Sequence, residues 1–591
     1  MRPASHRARL ASTFSAAALL VGMTLLPANA AAEDLLWVRS IGSAAADEIT
    51  GVACDRDDNV YTAGRFSGTV DFDPEAGVTN LTAIGPSDAY VTRLDRDGRL
   101  VWAVQFGGTT STGSAPMGSV ASDGAGFLYV TGGFNGTVDF DPSAGVFEMT
   151  ALGANGDMYV VKLTTAGQFV WARQIGCPSG GDAGPNAIAA NGTRVAFTGN
   201  MSGTCDFDPG PGVAEVTVSA GTLENFFVAA LDAGGGFAFA SPFESPGSDN
   251  PHGIAVDAAG NVYTTGRARG PIDYDPGPGF DIQTGDMFVI KQSPDGTEQW
   301  ARAFASGSLG RGFGVRTDAS GGVYVAGQFS NSGDFDPGPG TAVRTAVALT
   351  DGFLLKLDAS GNYAWVATFG GTGNDAARQV AVGTDGRVHV VGSFAGTADF
   401  DPGAAAFNLT SAGSTEGFAL TLDQAGQFLR ALSIGGTQAD SILNTAIDRG
   451  GHLVAIGSFT GTADFDPGPN VSNLTAVGSS DAFVWKYGTS ELRLEQGGAA
   501  GTSIAFTPGS PALYDLVRGR MIALRLTRTY AQATCFGSLL SAPATDTEIP
   551  QVGDAFYYLA RGRNCCAAEG YGDSTLQPDP RDDLDLASPC P

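Results

Sequence analysis

The sequence predicts an all-β protein, a seven-bladed β-propeller closed by its N-terminal strand and followed by a small β-sandwich. Three observations predict it. An Asp-aromatic-Asp-Pro phrase recurs seven times, four β-rich runs surround the copies in the same order, and the two ends of the repeat region complement each other.

The phrase begins at Asp71, Asp139, Asp206, Asp273, Asp334, Asp399 and Asp464, at successive spacings of 68, 67, 67, 61, 65 and 65 residues. A fixed period of this size marks one supersecondary unit per repeat. In the fourth unit Gly253 to Val256 and Asn261 to Thr265 read as a strand pair split by Asp-Ala-Ala-Gly. Asp286 to Lys291 and Glu298 to Ala303 read as a second pair split by Ser-Pro-Asp-Gly. Both linkers are hairpin chemistry. Four antiparallel strands repeated radially leave only short, protected edges, which is the logic of a propeller.

The first strand-like run, "LLWVRSIG" at Leu35 to Gly42, matches fourth strands such as "LVWAVQFGG" at Leu100 to Gly108, while the seventh unit stops after its third strand at Gly488. The N-terminal strand is therefore expected to complete the last blade. These units resemble the bacterial seven-bladed β-propeller repeats of the SBBP type, with a "GIAVDAAGNVY" core similar to NHL-type propellers, from Leu35 to about Gly488. The resemblance implies a fold and no particular activity.

Residues 1–30 read as a signal peptide, with basic Arg2, Arg7 and Arg9, an apolar stretch from Phe14 to Leu26, and a small-residue cleavage site at Ala28-Asn29-Ala30. The domains expected are thus 1–30, 31–488 (propeller) and 489–591, with a secreted, extracellular or periplasmic, product. No later run is long and apolar enough to span a bilayer. The whole chain carries 33 basic and 61 acidic residues, a formal charge of -28. Such a charge disfavours nucleic acid and anionic membranes as partners. In 489–591, "SIAFTPGSPALYDLVRGR" and "DAFYYLARGRN" resemble strands of a fibronectin type III-like module. Four of the seven Cys, Cys535, Cys565, Cys566 and Cys590, cluster there and suggest disulfides, with three complete pairings open. Cys54, Cys177 and Cys205 are scattered earlier.

The acids converge on one rim, because the phrase lies between second and third strands, where loops open on the same face as those entering the first strands. The phrase supplies Asp71, Asp73, Asp139, Asp141, Asp206, Asp208, Asp273, Asp275, Asp334, Asp336, Asp399, Asp401, Asp464 and Asp466. An acid precedes every third strand: Asp88, Asp157, Glu224, Asp286, Asp351, Glu416 and Asp481. Five more enter first strands: Asp47, Asp182, Asp249, Asp375 and Asp440. Two chemistries fit. Alternate carboxylates suit Ca²⁺, a hard cation taking six to eight oxygens. The simpler reading is capping, in which Asp accepts backbone N–H bonds at a corner that every blade must turn. Capping is preferred, with Ca²⁺ as the one cofactor candidate.

Catalytic signals are weak. His252, His389 and His452 fall in separate units without a shared register, and Trp37, Trp102, Trp171, Trp300 and Trp365 share one fourth-strand position that suits packing between blades. The expected role is a secreted, monomeric, non-enzymatic binding or surface-interaction scaffold for a protein or glycan ligand. The alternatives are a calcium-dependent adhesion or matrix protein and, without a supporting constellation, a polysaccharide hydrolase or lyase.

Overall fold

The computed structural model describes residues 33–489, apart from 44–46, 111–118, 154–155, 179–180 and 219–224, and further on 492–495, 502–506, 513–520, 534–540, 544–546 and 556–563. The expected signal peptide lies outside the described residues. Every regular element described is a strand.

Seven four-stranded antiparallel units form a seven-bladed β-propeller. Blade one comprises Glu48–Cys54, Val60–Phe66, Asp88–Leu94 and Leu100–Gly108. Blade four comprises Asn250–Val256, Val262–Asp273, Ile282–Gln292 and Glu298–Phe304. The seventh holds Ser441–Ile447, Leu453–Phe459 and Asp481–Thr489, and its outer place is taken by Glu33–Ile41, which pairs antiparallel with the third strand from Glu33↔Thr489 to Ile41↔Ala482. First strands of all seven blades surround a central cavity of about 350 Å³.

The alternating strand pattern buries one aromatic-rich layer between successive blades. Each fourth-strand Trp packs beneath the third-to-fourth turn of the next blade: Trp37 Nε1 donates to Arg96 O (2.8 Å), Trp300 Nε1 to Ala359 O (3.1 Å) and Trp365 Nε1 to Gln424 O (3.2 Å). Glycine is required at that turn twice over. Gly98 has φ of 79°, and a Cβ there would lie 2.7 Å from the Trp37 ring.

The seam between blades six and seven explains why Arg430 stands where Trp is expected. Blade seven has no third-to-fourth turn, because its fourth strand arrives from the N-terminus. Glu33 fills that place, ion-paired with Arg430 and with Arg387 (2.6 Å), while the Arg430 guanidinium lies 4.7 Å from the Tyr487 ring centre. On the opposite face of blade seven, towards blade one, Asp448 bridges Lys486 (2.7 Å) and His452 (2.9 Å), all three fully buried, and Lys486 Nζ also donates to Arg96 O of blade one (3.3 Å). Desolvation pushes the Asp448 carboxyl up, but hydrogen bonds from His452 and Lys486 outweigh it and hold the pKa at about 2.

The strands of the fourth unit run further than their apolar cores suggest. Its second and third strands continue outward to Asp273 and from Ile282, carrying the Asp-aromatic-Asp-Pro phrase at the tip of the extension. In blade one the same extension is a separate hairpin, Thr69–Asp71 with Asn80–Thr82. It reaches sideways as well. Val138 and Asp139 of blade two pair with Gly108 and Gly107 at the end of blade one, and the same pairing joins blade five to six and six to seven.

Between blades two and three this clasp is covalent. Cys177 and Cys205 form a disulfide across a sequence separation of 28, with Cα atoms 4.1 Å apart. In the sequence these two are scattered residues with no pairing signal. Cys54 is a free thiol. In the C-terminal region, Leu492–Glu495, Thr502–Phe506 and Ala544–Asp546 form one three-stranded ladder, and Leu513–Arg520, Thr534–Leu540 and Phe556–Arg563 another. The bridge expected among Cys535, Cys565, Cys566 and Cys590 falls outside the described side chains.

Candidate functional site

The seven phrases adopt one geometry. Asp464 Oδ1 accepts two backbone N–H bonds, from Asp466 (3.0 Å) and from Ser472 on the returning strand (2.8 Å). Asp466 Oδ1 accepts the Gly468 N–H at 2.8 Å. The first carboxylate thus ties both sides of the hairpin together, and the second sets the turn after Pro. The same three bonds recur at Asp71 and Asp73, Asp139 and Asp141, and Asp206 and Asp208. They recur again at Asp273 and Asp275, Asp334 and Asp336, and Asp399 and Asp401. The aromatic between them is buried in every copy: Phe72, Phe140, Phe207, Tyr274, Phe335, Phe400 and Phe465. Phe465 meets Phe459 edge-on at 5.3 Å and Phe483 at 4.8 Å, and Phe400 also reaches Phe369 of the preceding blade at 5.7 Å.

The remaining rim acids form a second, deeper set. Asp351 of blade five and Asp375 at the entry to blade six face one another across Gly370 and Gly371: Asp351 accepts from Val347 N (3.0 Å), and Asp375 accepts from Gly371 N (2.7 Å) and Ala395 N (3.1 Å). Burial, and then the neighbouring Asp375 charge, push the Asp351 pKa up to about 6. Glu416 and Asp440 repeat the pair one blade on, both raised chiefly by burial. Asp88, Asp157, Asp481, Asp47 and Asp249 are also buried, whereas Asp286 is half-buried and Asp182 exposed. Glu224 lies outside the described residues. Loop and junction acids therefore occupy one rim without merging, and among the described residues no three His, Cys, Asp or Glu side chains converge as a metal shell.

The histidines are separate, as their register implies. His452 belongs to the buried Asp448 and Lys486 cluster, and His389 Nδ1 meets Thr421 Oγ1 at 3.1 Å. His252 lies elsewhere, at a β-bulge that the sequence pattern does not reveal. In six blades the ladder between first and second strands is interrupted by one extra residue: Thr50, Asn186, His252, Phe313, Arg378 and Leu443. Such bulges re-aim a side chain. Here they form a ring on the innermost strands, at the end of the channel where the chain enters each blade. The His252 ring lies tilted by 45° against Phe313 with centres 5.2 Å apart, and the Arg378 guanidinium sits 4.5 Å from the centre of the same Phe313 ring. The internal repeat offered a signal for this site, because it is a position at which the units do not agree.

A family-model match supports the propeller architecture. Residues 243–273, which cover the end of blade three and the first two strands of blade four, match the SBBP beta-propeller repeat family model. An uncharacterised WD repeat-containing protein, L264, of Acanthamoeba polyphaga mimivirus is 22% identical over 510 residues, covering 72% of this chain and 36% of the relative. The chain thus spans about a third of the length of that curated relative. Among solved structures, Sqt1 from Chaetomium thermophilum aligns at a TM-score of 0.35 with 10% identity, over 72% of this chain and 97% of that one. A gluconolactonase from Xanthomonas campestris aligns at 0.24 with 13% identity, over 59% and 93%. What the sequence match and the strand ladders share is a seven-bladed β-propeller built from SBBP-like repeats.

Proposed function

We propose that the chain is an exported, non-catalytic binding scaffold, a monomer that contacts a protein or glycan through the channel mouth on its rim face. The observation that carries this reading is a contrast within the repeat. The Asp-aromatic-Asp-Pro loops use identical bonds in all seven copies, which suits a corner piece, while the bulge position changes chemistry from Thr50 through His252, Phe313 and Arg378 to Leu443. Recognition needs a varied surface on a rigid frame. In this reading Glu33–Ile41 closes the ring, and 489–591 adds a fibronectin type III-like module.

A glycan array and turnover assays on polysaccharides test it together. The proposal expects saturable binding without products, lost when Phe313 and Leu443 are changed to Ser. Release of reducing ends by the purified chain would refute it.

A second reading, calcium in the loops, applies at blade four, where no three acidic side chains converge as a shell among the described residues but several carboxylates repel one another. There burial, and then Asp281 with Asp275 and Asp273, push the Glu298 carboxyl up to about 7. A divalent cation would relieve that repulsion, and calcium titration with the Glu298→Gln variant as control measures it.

A further inference from the structure

In a chain with 61 acidic and 33 basic residues, three arginines meet at one side of the channel mouth. Arg267 comes from the second strand of blade four, Arg311 from the first strand of blade five and Arg378 from the first strand of blade six. Arg378 and Arg311 both approach Phe313, at 4.5 and 5.7 Å from its ring centre. Nε of all three arginines and Nε2 of His252 are buried without a hydrogen-bond partner. Asp249 is a neighbouring carboxylate whose ionisation Arg267 favours; its Oδ1 accepts the Arg269 N–H at 2.8 Å and its Oδ2 is buried without a partner.

Three fourth-strand arginines behave differently, although Arg93 Nε and Arg194 Nη1 are likewise buried without a partner. Arg39, Arg173 and Arg302 each bond carbonyls of the next blade's turn; Arg302 Nε, for example, donates to Gly361 O at 2.9 Å. Those guanidiniums are structural braces. At the mouth Arg267 Nη2 donates to Ser248 O at 3.4 Å while its Nε stays unpartnered, and the Arg311 pKa is lowered by burial and then by Arg267 and Arg378. Burial, and then the same three arginines, lower the His252 pKa to about 3, so its ring is neutral and able to donate or accept one bond. Buried donors without acceptors are costly, and guanidinium forks match planar and tetrahedral oxyanions in a bidentate way.

We infer that Arg267, Arg311, Arg378 and His252, on the Phe313 floor, form a binding site for an oxyanion group, a carboxylate, phosphate or sulfate, borne by a free ion or by an acidic glycan. This deepens the scaffold reading and rests on it only in treating the channel mouth as the contact face. The anion would supply acceptors that the chain withholds, and the rest of the acidic surface would turn away anions that cannot reach this one basic recess.

Isothermal titration of the full chain with inorganic phosphate, and separately with an oligogalacturonate, tests the site. Saturable binding is expected in at least one arm, and the tighter arm identifies the source of the anion. Arg378→Gln and Arg311→Gln should each weaken that binding about tenfold or more, the worth of a charge-assisted bond. Both should leave the melting temperature unchanged or raise it, because they relieve repulsion. If one variant fails to fold, the other carries the test. Arg302→Gln, a brace, should lower the melting temperature and spare binding. No saturable heat in either arm, or binding that neither variant weakens, overturns the site. Breakdown of the oligosaccharide would overturn the scaffold reading and leave the arginine result standing.

Discussion

Replacing Asp464 by Ala should cost more than replacing Asp466, although both belong to one phrase. Asp464 Oδ1 holds two backbone N–H groups, one of them on the returning strand, and Asp466 Oδ1 holds one. At about 0.5–1.5 kcal/mol net per hydrogen bond, the losses are about 1–3 kcal/mol for Asp464→Ala and about half that for Asp466→Ala. Both carboxylates are half-buried, so water can partly replace them and the lower ends apply. Asp464→Asn keeps the accepting oxygen and should recover most of the loss. The assay is urea unfolding followed by tryptophan fluorescence, with the slope checked for constancy across variants. Neutral Ala variants at both positions, or a larger cost at Asp466, would refute the bond geometry as the reason for the repeated phrase.

Deleting Glu33–Ile41 should leave the Asp481–Thr489 edge unpaired and yield a protein that aggregates or melts far lower; an equally stable monomer by light scattering would remove ring closure. Cys205→Ser should lose about 3–4 kcal/mol from the loop-entropy relation for a separation of 28, and mild reduction of the parent should do the same by calorimetry. The Asp448 pKa is depressed to about 2, so its contribution is present above about pH 4 and lost as pH falls towards 2; Asp448→Asn should flatten that acid limb of a stability profile. Asp351 has the opposite sign. Its pKa is raised to about 6, so stability falls as pH rises from about 4 to 6, and Asp351→Asn should abolish that slope.

The blades were legible because their determinants repeat. A Trp at the same fourth-strand position in five of seven units and paired hairpin turns each have one physical reason that recurs around the ring, and the incomplete last unit shows how the ring closes. The sideways clasp was not legible, because a three-residue strand such as Thr69–Asp71 holds a single alternation and shows no period. The Cys177–Cys205 bridge was hidden for a related reason: the two residues sit in different units, and only the ladder register reveals that Cys177 follows a fourth strand where Cys205 of the next hairpin arrives. The channel mouth was least legible of all. Arg267, Arg311 and Arg378 are unremarkable strand residues until three blades are arranged around one axis, and repeat analysis attends to agreement, whereas this site lies in the disagreement.

In the capping reading all fourteen loop aspartates hold corners and none holds a metal. Calorimetric melting of the purified chain in chelator and in millimolar calcium tests that assignment directly. The account predicts the same melting temperature in both, because backbone N–H groups already occupy the Oδ1 atoms of every loop. A melting temperature that climbs and saturates with calcium, and no longer does so in Asp466→Ala, would contradict it and make the loops metal sites.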